Sequence, residues 1–227
     1  MTIDRKVYFD SVRKSLFGGG MEQQQVDGQN AILAQWETEF PAGDLRHLAY
    51  MLATTFHETA RTMWPIEEYG KGAGKTYGKR DPETGETYYG RGFVQLTWRE
   101  NYHNATVELG LTDVRDLEYH PDQALDLIIA SQIMFRGMSE GWFTNKKLST
   151  YFSETRDDPV GARAIINNDV SKNGSRIAGY HQKFLDALEA AYIDATDPET
   201  GRVTVRLEVP DGVPVDFYVN SELVLTT

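Results

Sequence analysis

Between residues 65 and 92 two prolines (Pro65, Pro82) and seven glycines (70, 72, 74, 78, 85, 90, 92) break a chain that otherwise patterns as helix to about residue 195. Proline lacks a backbone donor, and glycine in a helix interior costs about 1 kcal/mol relative to alanine. The stretch is therefore expected to be loop with short strands, flanked by helices on both sides. Upstream, residues 4–16 and 21–38 read as helices split by Gly18-Gly19-Gly20, with Val26, Ile32, Leu33 and Trp36 near one face of the second. Asp44 is placed to cap a helix in which Leu45, Leu48, Leu52 and Phe56 follow helical spacing, so that Glu58 stands at its C-terminal end.

Downstream, Thr97 and Glu100 match a capping box that opens a helix running to Gly110. Pro121, as a first-turn proline, is expected to start an apolar helix reaching about Met138. Shorter helices are expected at 146–153 and 159–167 and a longer one at 175–194. After DPETG at 197–201 the period changes to two, as in Val203, Val205, Leu207 and Val209, with Pro-Asp-Gly and Asn-Ser as turn candidates. The expected fold class is mainly α, an α+β arrangement with a small C-terminal β extension: a domain over 1–196 and a strand appendage over 197–227.

The totals exclude several functions. A net charge of −11 lacks the basic footprint that nucleic acid requires, and it means that an anionic polymer must be held by specific contacts. Zero cysteines remove disulfides, thiol nucleophiles and cysteine-based zinc sites. No apolar run approaches the roughly 18 residues of a membrane span, and the charged N-terminus holds no signal-peptide core, so no stable membrane insertion is expected. The five histidines show no ligand spacing, and HETAR lacks the second histidine of a zinc-protease helix; no metal and no cofactor are expected. Gly74-Lys75-Thr76 resembles the end of a phosphate-binding loop, but Tyr69 stands where that loop needs glycine.

What remains is acid–base chemistry. Glu58 lies ahead of the adjacent pair Glu67 and Glu68, and the Gly-rich YYGRGFVQLTWRENY at 88–102 carries Gln95, Thr97 and Asn101. Two carboxyl groups flanking a bond, with polar side chains to grip the sugar, are what glycosidic cleavage needs. In an extended segment, adjacent residues point to opposite sides, so only one of Glu67 and Glu68 can face Glu58. Tyr88, Tyr89, Trp98 and Trp142 could stack on sugar rings or fill the core, and core is the better reading for most of them.

HET at 57–59, PIEEYG at 65–70, YYGRGFVQLTWRENY, and the later ARAIINN and SRIAGY strings together resemble glycoside hydrolase family 19, chitinases and phage endolysins on a lysozyme-like fold. The segments at 16–37 and 137–152 resemble the phage-endolysin branch. The resemblance implies Glu58 as general acid, Glu68 as general base with Glu67 the alternative, and Thr97 and Asn101 holding the attacking water and the sugar. Gln95 and Asn167 match further substrate-contacting positions, although Asn167-Asn168-Asp169 stands where the family usually has an Asn-Gly-Gly turn. Tyr88 joins the substrate-binding candidates as an aromatic that could stack on a sugar ring. It further implies inverting hydrolysis of β-1,4 bonds in peptidoglycan, or in a chitin-like polymer. On the peptidoglycan reading the protein is a bacteriolytic endolysin, resident in the host bacterial cytoplasm until a holin releases it to the cell wall. Inversion requires carboxyls about 6.5–9.5 Å apart, and an acid kept protonated by burial and a neighbouring carboxylate. Arg61 or Thr62, one turn beyond Glu58, could oppose that.

Overall fold

The structure, a computed structural model, describes residues 2–193 and the backbone of 216–219 and 222–226. The chain divides into two units, Met1–Ile193 and Asp194–Thr227. In the first, β1 (Thr2–Ile3), α1 (Arg5–Ser15), α2 (Gln23–Glu39) and α3 (Leu45–Glu58) precede the glycine-rich stretch. That stretch holds only β2 (Ile66–Glu67), one 3₁₀ turn at Thr76–Gly78 and β3 (Arg91–Gly92). Then follow α4 (Arg99–Leu109), α5 (Leu127–Glu140), α6 (Leu148–Tyr151), the β4–β5 pair (Phe152–Ser153, Arg156–Asp157), α7 (Ser175–Ala191) and β6 (Tyr192–Ile193). The expected mainly α architecture is what the structure shows.

Helix α3 organises the rest. Every residue from Leu48 to Phe56 is buried, and a helix that is apolar all round must be enclosed by others. It packs chiefly against α7, which also carries α1, while α2 packs on α5. Asp44 caps α3 through the Arg46 amide, so the helix is pinned at its start and delivers Glu58 from the core at its end. Beyond Glu58 the backbone turns sharply, with Ala60, Arg61 and Met63 all at positive φ. Gly28 in α2 makes room for this turn: a Cβ there would lie 1.7 Å from the Met63 carbonyl oxygen. Alanine ordinarily stabilises a helix interior relative to glycine, but here it must displace buried backbone. Gly28→Ala is expected to destabilise the fold by about 1–3 kcal/mol, the usual range for overpacking. A urea midpoint at or above that of the parent would refute this.

Four of the expected helices differ in the structure. Thr97 and Glu100 form no capping box: α4 begins at Arg99 behind Trp98, whose φ of 77° turns the chain away, and the Thr97 hydroxyl donates to the Gln95 carbonyl instead. Pro121 opens only a 3₁₀ turn to Leu125, because Asp126 ends it and caps α5 through the amides of Ile128 and Ile129. Of the two short helices, 146–153 shrinks to α6 followed by a strand, and 159–167 becomes a 3₁₀ turn at Gly161–Ile165.

In the second unit, β7 (Asp216–Val219) and β8 (Glu222–Thr226) pair antiparallel, Val219 opposite Glu222, with an irregularity between Phe217 and Tyr218. The strands expected around Val203, Val205, Leu207 and Val209, and both turn candidates, lie outside the described residues. Among the described residues no helix is long and apolar enough to cross a membrane, and no cluster of acidic and histidine side chains could hold a metal ion.

Candidate active site

Four separate stretches build one cavity of about 430 Å³: the end of α3, the segment 68–101, the loop carrying Phe143 and the turn at Ile166–Asn167. Its polar lining is Glu58, Glu68, Gln95, Thr97, Asn101 and Asn167. Tyr77, Trp98, Phe143 and Ile166 supply much of the apolar wall. A few convergent polar groups on an apolar surface, in a volume of roughly 300–1,000 Å³, is the usual build of a small-ligand site.

The short β2–β3 pair separates the two adjacent glutamates. With Glu67 opposite Arg91 in the ladder, Glu67 turns away from the cavity, where its carboxylate accepts from the Tyr89 hydroxyl and pairs with Lys71 at 2.7 Å. Those two partners hold the Glu67 carboxyl below the ordinary glutamate range, Lys71 contributing most. Glu68 takes the other side, as alternation along a strand demands. Its Oε1 accepts from the Tyr77 hydroxyl at 3.2 Å and its Oε2 from the Gly90 amide at 3.3 Å. Glu68→Gln is accordingly expected to remove most activity, and Glu67→Gln to cost stability while sparing the rate. Activity lost in the Glu67 variant alone would reverse the assignment.

Arg91, buried at 2% exposure, fixes this wall. Its guanidinium stacks over Tyr89 at 3.7 Å, bonds Asp122, and donates to the Thr87 carbonyl and the Tyr102 hydroxyl. Gln95 sits at φ 55° with its amide donating to the Ile66 and Gly92 carbonyls. The Asn101 amide donates to the Thr97 carbonyl at 2.7 Å. Among the described residues, five of the eight non-glycine residues at positive φ (Ala60, Arg61, Met63, Gln95, Trp98) flank the cavity or the turn behind Glu58. Such backbone strain concentrates at functional sites.

Tyr88 does not join the other expected substrate-binding positions. It is 3% exposed, and its hydroxyl is engaged with Thr84 and the Glu118 carbonyl. Trp98, by contrast, is half exposed at the cavity rim, its ring edge-to-face with Tyr77 at 5.2 Å. The cation beside Glu58 is neither Arg61 nor a donor from Thr62: Arg61 lies over the Phe56 ring and the Thr62 hydroxyl donates to the Thr59 carbonyl. It is Arg163, from ARAIINN, whose Nη1 meets Glu58 Oε1 at 2.5 Å. Arg163 also binds Asp169 through Nε, and Asn173 donates to the same carboxylate. Burial raises the Asp169 carboxyl, but Arg163 and Asn173 outweigh it and hold the group low. Burial pushes the neighbouring His57 ring below the usual histidine range, with Glu58 opposing. A charge set within Ala162–Ile166 needs a buried partner, and that is the one signal in the sequence that could have pointed to Arg163.

No family model matches the chain. It is 28% identical over 193 residues to chitinase 3 of rice (Oryza sativa subsp. japonica), covering 67% of this chain and 57% of that protein. It is 33% identical over 140 residues to an endochitinase of Arabidopsis thaliana, covering 61% of this chain and 44% of the relative. The chain thus spans about half the length of the curated relatives it matches. Its fold is similar to that of chitinase C from Streptomyces griseus HUT6037, with a TM-score of 0.55 at 18% identity over 83% of this chain and 76% of the other.

Proposed function

We propose that this chain, two of whose sequence relatives are chitinases, is a family 19-like glycoside hydrolase that cuts β-1,4 bonds in an N-acetylglucosamine-containing polysaccharide with inversion. Glu58 is the general acid and Glu68 the general base. The observation that carries this reading is that two carboxylates from separate segments line one cavity with four amide and hydroxyl side chains. In this mechanism Glu58, which must take up a proton against the Arg163 cation beside it, passes that proton to the leaving oxygen while Glu68 draws a proton from water on the opposite face of the ring. Thr97 and Asn101, on the wall beside them, hold that water and the sugar. Gln95 and Asn167 contact the substrate, and the exposed face of Trp98 stacks on it.

Chitin is the polymer to which the relatives' names point. Peptidoglycan, whose glycan strand has the same linkage, is the second reading, favoured by the endolysin-like segments at 16–37 and 137–152. On that reading the protein is a phage-type endolysin that lyses the host wall after a holin releases it. Incubation with chitin oligomers beside turbidity loss of outer-membrane-stripped bacteria separates the polymers. Proton NMR of the first-formed reducing ends should show the inverted anomer, and net retention would refute the mechanism.

A further inference from the structure

A second cavity, of about 320 Å³, lies at the α3 terminus, lined by Phe56, His57, Ala60, Arg61, Arg176 and Tyr180. Consecutive residues thus serve two cavities, Glu58 the first and His57 the second. They are also joined through side chains: Arg176 reaches Asn173, Asn173 bonds Asp169, and Asp169 shares Arg163 with Glu58. The second cavity is basic in a chain of net charge −11. Among the described residues neither Arg61 nor Arg176 has a carboxylate partner; Arg61 faces the Phe56 ring at 5.5 Å and Arg176 donates at 3.5 Å to the Asn173 amide oxygen.

Arg61 is held there at a cost. Its φ is 72°, a region disfavoured for a side chain of this kind. Its backbone is fixed at both ends, the amide donating to the Phe56 carbonyl and the carbonyl accepting from the Gln25 amide. Strain maintained in this way, next to a reactive carboxylate, is a pointer to function. Two guanidiniums without carboxylates, converging on a concavity with aromatic walls, are the donor set for a carboxylate, which arginine binds with paired hydrogen bonds.

We propose that this cavity binds a carboxylate borne by the glycan substrate, as on the lactyl or peptide substituent of a peptidoglycan strand, while the sugar backbone occupies the first cavity. The inference rests on the hydrolase reading and gives it a substrate preference: a neutral chitin chain has nothing to place there. It also supplies the specific contact that an acidic protein needs against an acidic polymer, since long-range attraction is absent.

The test reads binding without turnover, in the full chain carrying Glu58→Gln. Calorimetric titration compares a glucosaminyl–muramyl fragment with its carboxylates free, the same fragment esterified, chitotetraose, and inorganic phosphate. Arg61→Gln with Arg176→Gln is expected to weaken the free-acid fragment about ten-fold or more, and to leave the ester and chitotetraose within about two-fold. Both side chains are exposed and the Arg61 bonds that shape the turn are backbone ones, so the fold is retained. Equal weakening of all the glycans, or of none, would overturn the proposal. So would arginine-dependent binding of phosphate with the free-acid fragment unaffected, which would mark a phosphate site. Failure of the wild-type chain to hydrolyse either polymer refutes the hydrolase reading separately, because the titration does not depend on turnover.

Discussion

Glu58→Gln should fold like the parent and lose about 10²–10⁴-fold in hydrolytic rate, the usual contribution of a positioned general acid. The amide is nearly isosteric, and its oxygen can still accept from Arg163, which now holds Glu58 Oε1 at 2.5 Å. What it cannot do is deliver a proton to the leaving oxygen. The loss should therefore fall on kcat, with KM for a chitin oligomer little changed, since an interaction made only in the transition state is the one removed. Circular dichroism and the urea midpoint establish that the variant is folded. A folded Glu58→Gln chain with near-parental kcat would end the assignment of Glu58.

Arg163→Met is expected to destabilise the fold strongly. Arg163 is 3% exposed and lies between Glu58 and Asp169. Removing one member of such a buried array leaves the others uncompensated, at a cost of about 3–5 kcal/mol for a fully buried pair. Glu58 and Asp169 keep 16% and 26% of their side-chain surface in solvent, so about 3 kcal/mol, the lower end, is the expected drop. Activity of the folded fraction should also fall, because Glu58 loses the bond that orients it. Arg163→Lys should recover part of the stability but less of the rate, as an ammonium cannot engage two carboxylates in the fork geometry of a guanidinium. An unchanged urea midpoint for Arg163→Met would show that the triad contributes nothing.

Much of this architecture follows from short-range pattern. The spacing of Leu45, Leu48, Leu52 and Phe56 and the cap at Asp44 place Glu58 correctly, because both depend only on neighbours within a turn or two. Alternation along β2 likewise separates Glu68 from Glu67. The failures arise where local signals compete or where the partner is remote. Pro121 and Asp126 are both credible helix starts, and the stronger cap, with two backbone amides to satisfy, wins. Thr97 loses its capping role to the positive φ of Trp98, which no local pattern announces. Tyr88 reads as an aromatic beside a glycine turn, yet its hydroxyl is claimed by Glu118, 30 residues away. Arg163 meets Glu58 across 105 residues, a separation at which sequence pattern alone carries no pairing information.

The pairing of β1 with β6, Thr2 opposite Ile193 and Ile3 opposite Tyr192, has a consequence for how the first unit can be rearranged. Its two ends are strand neighbours, so the unit is topologically close to a ring. A few residues would join Ile193 to Thr2, and the ring could then be opened in the Gly18–Gly20 loop, where added side-chain atoms would meet nothing. A permuted chain of this kind keeps the α3 terminus, the 68–101 wall and Arg163 in their original order.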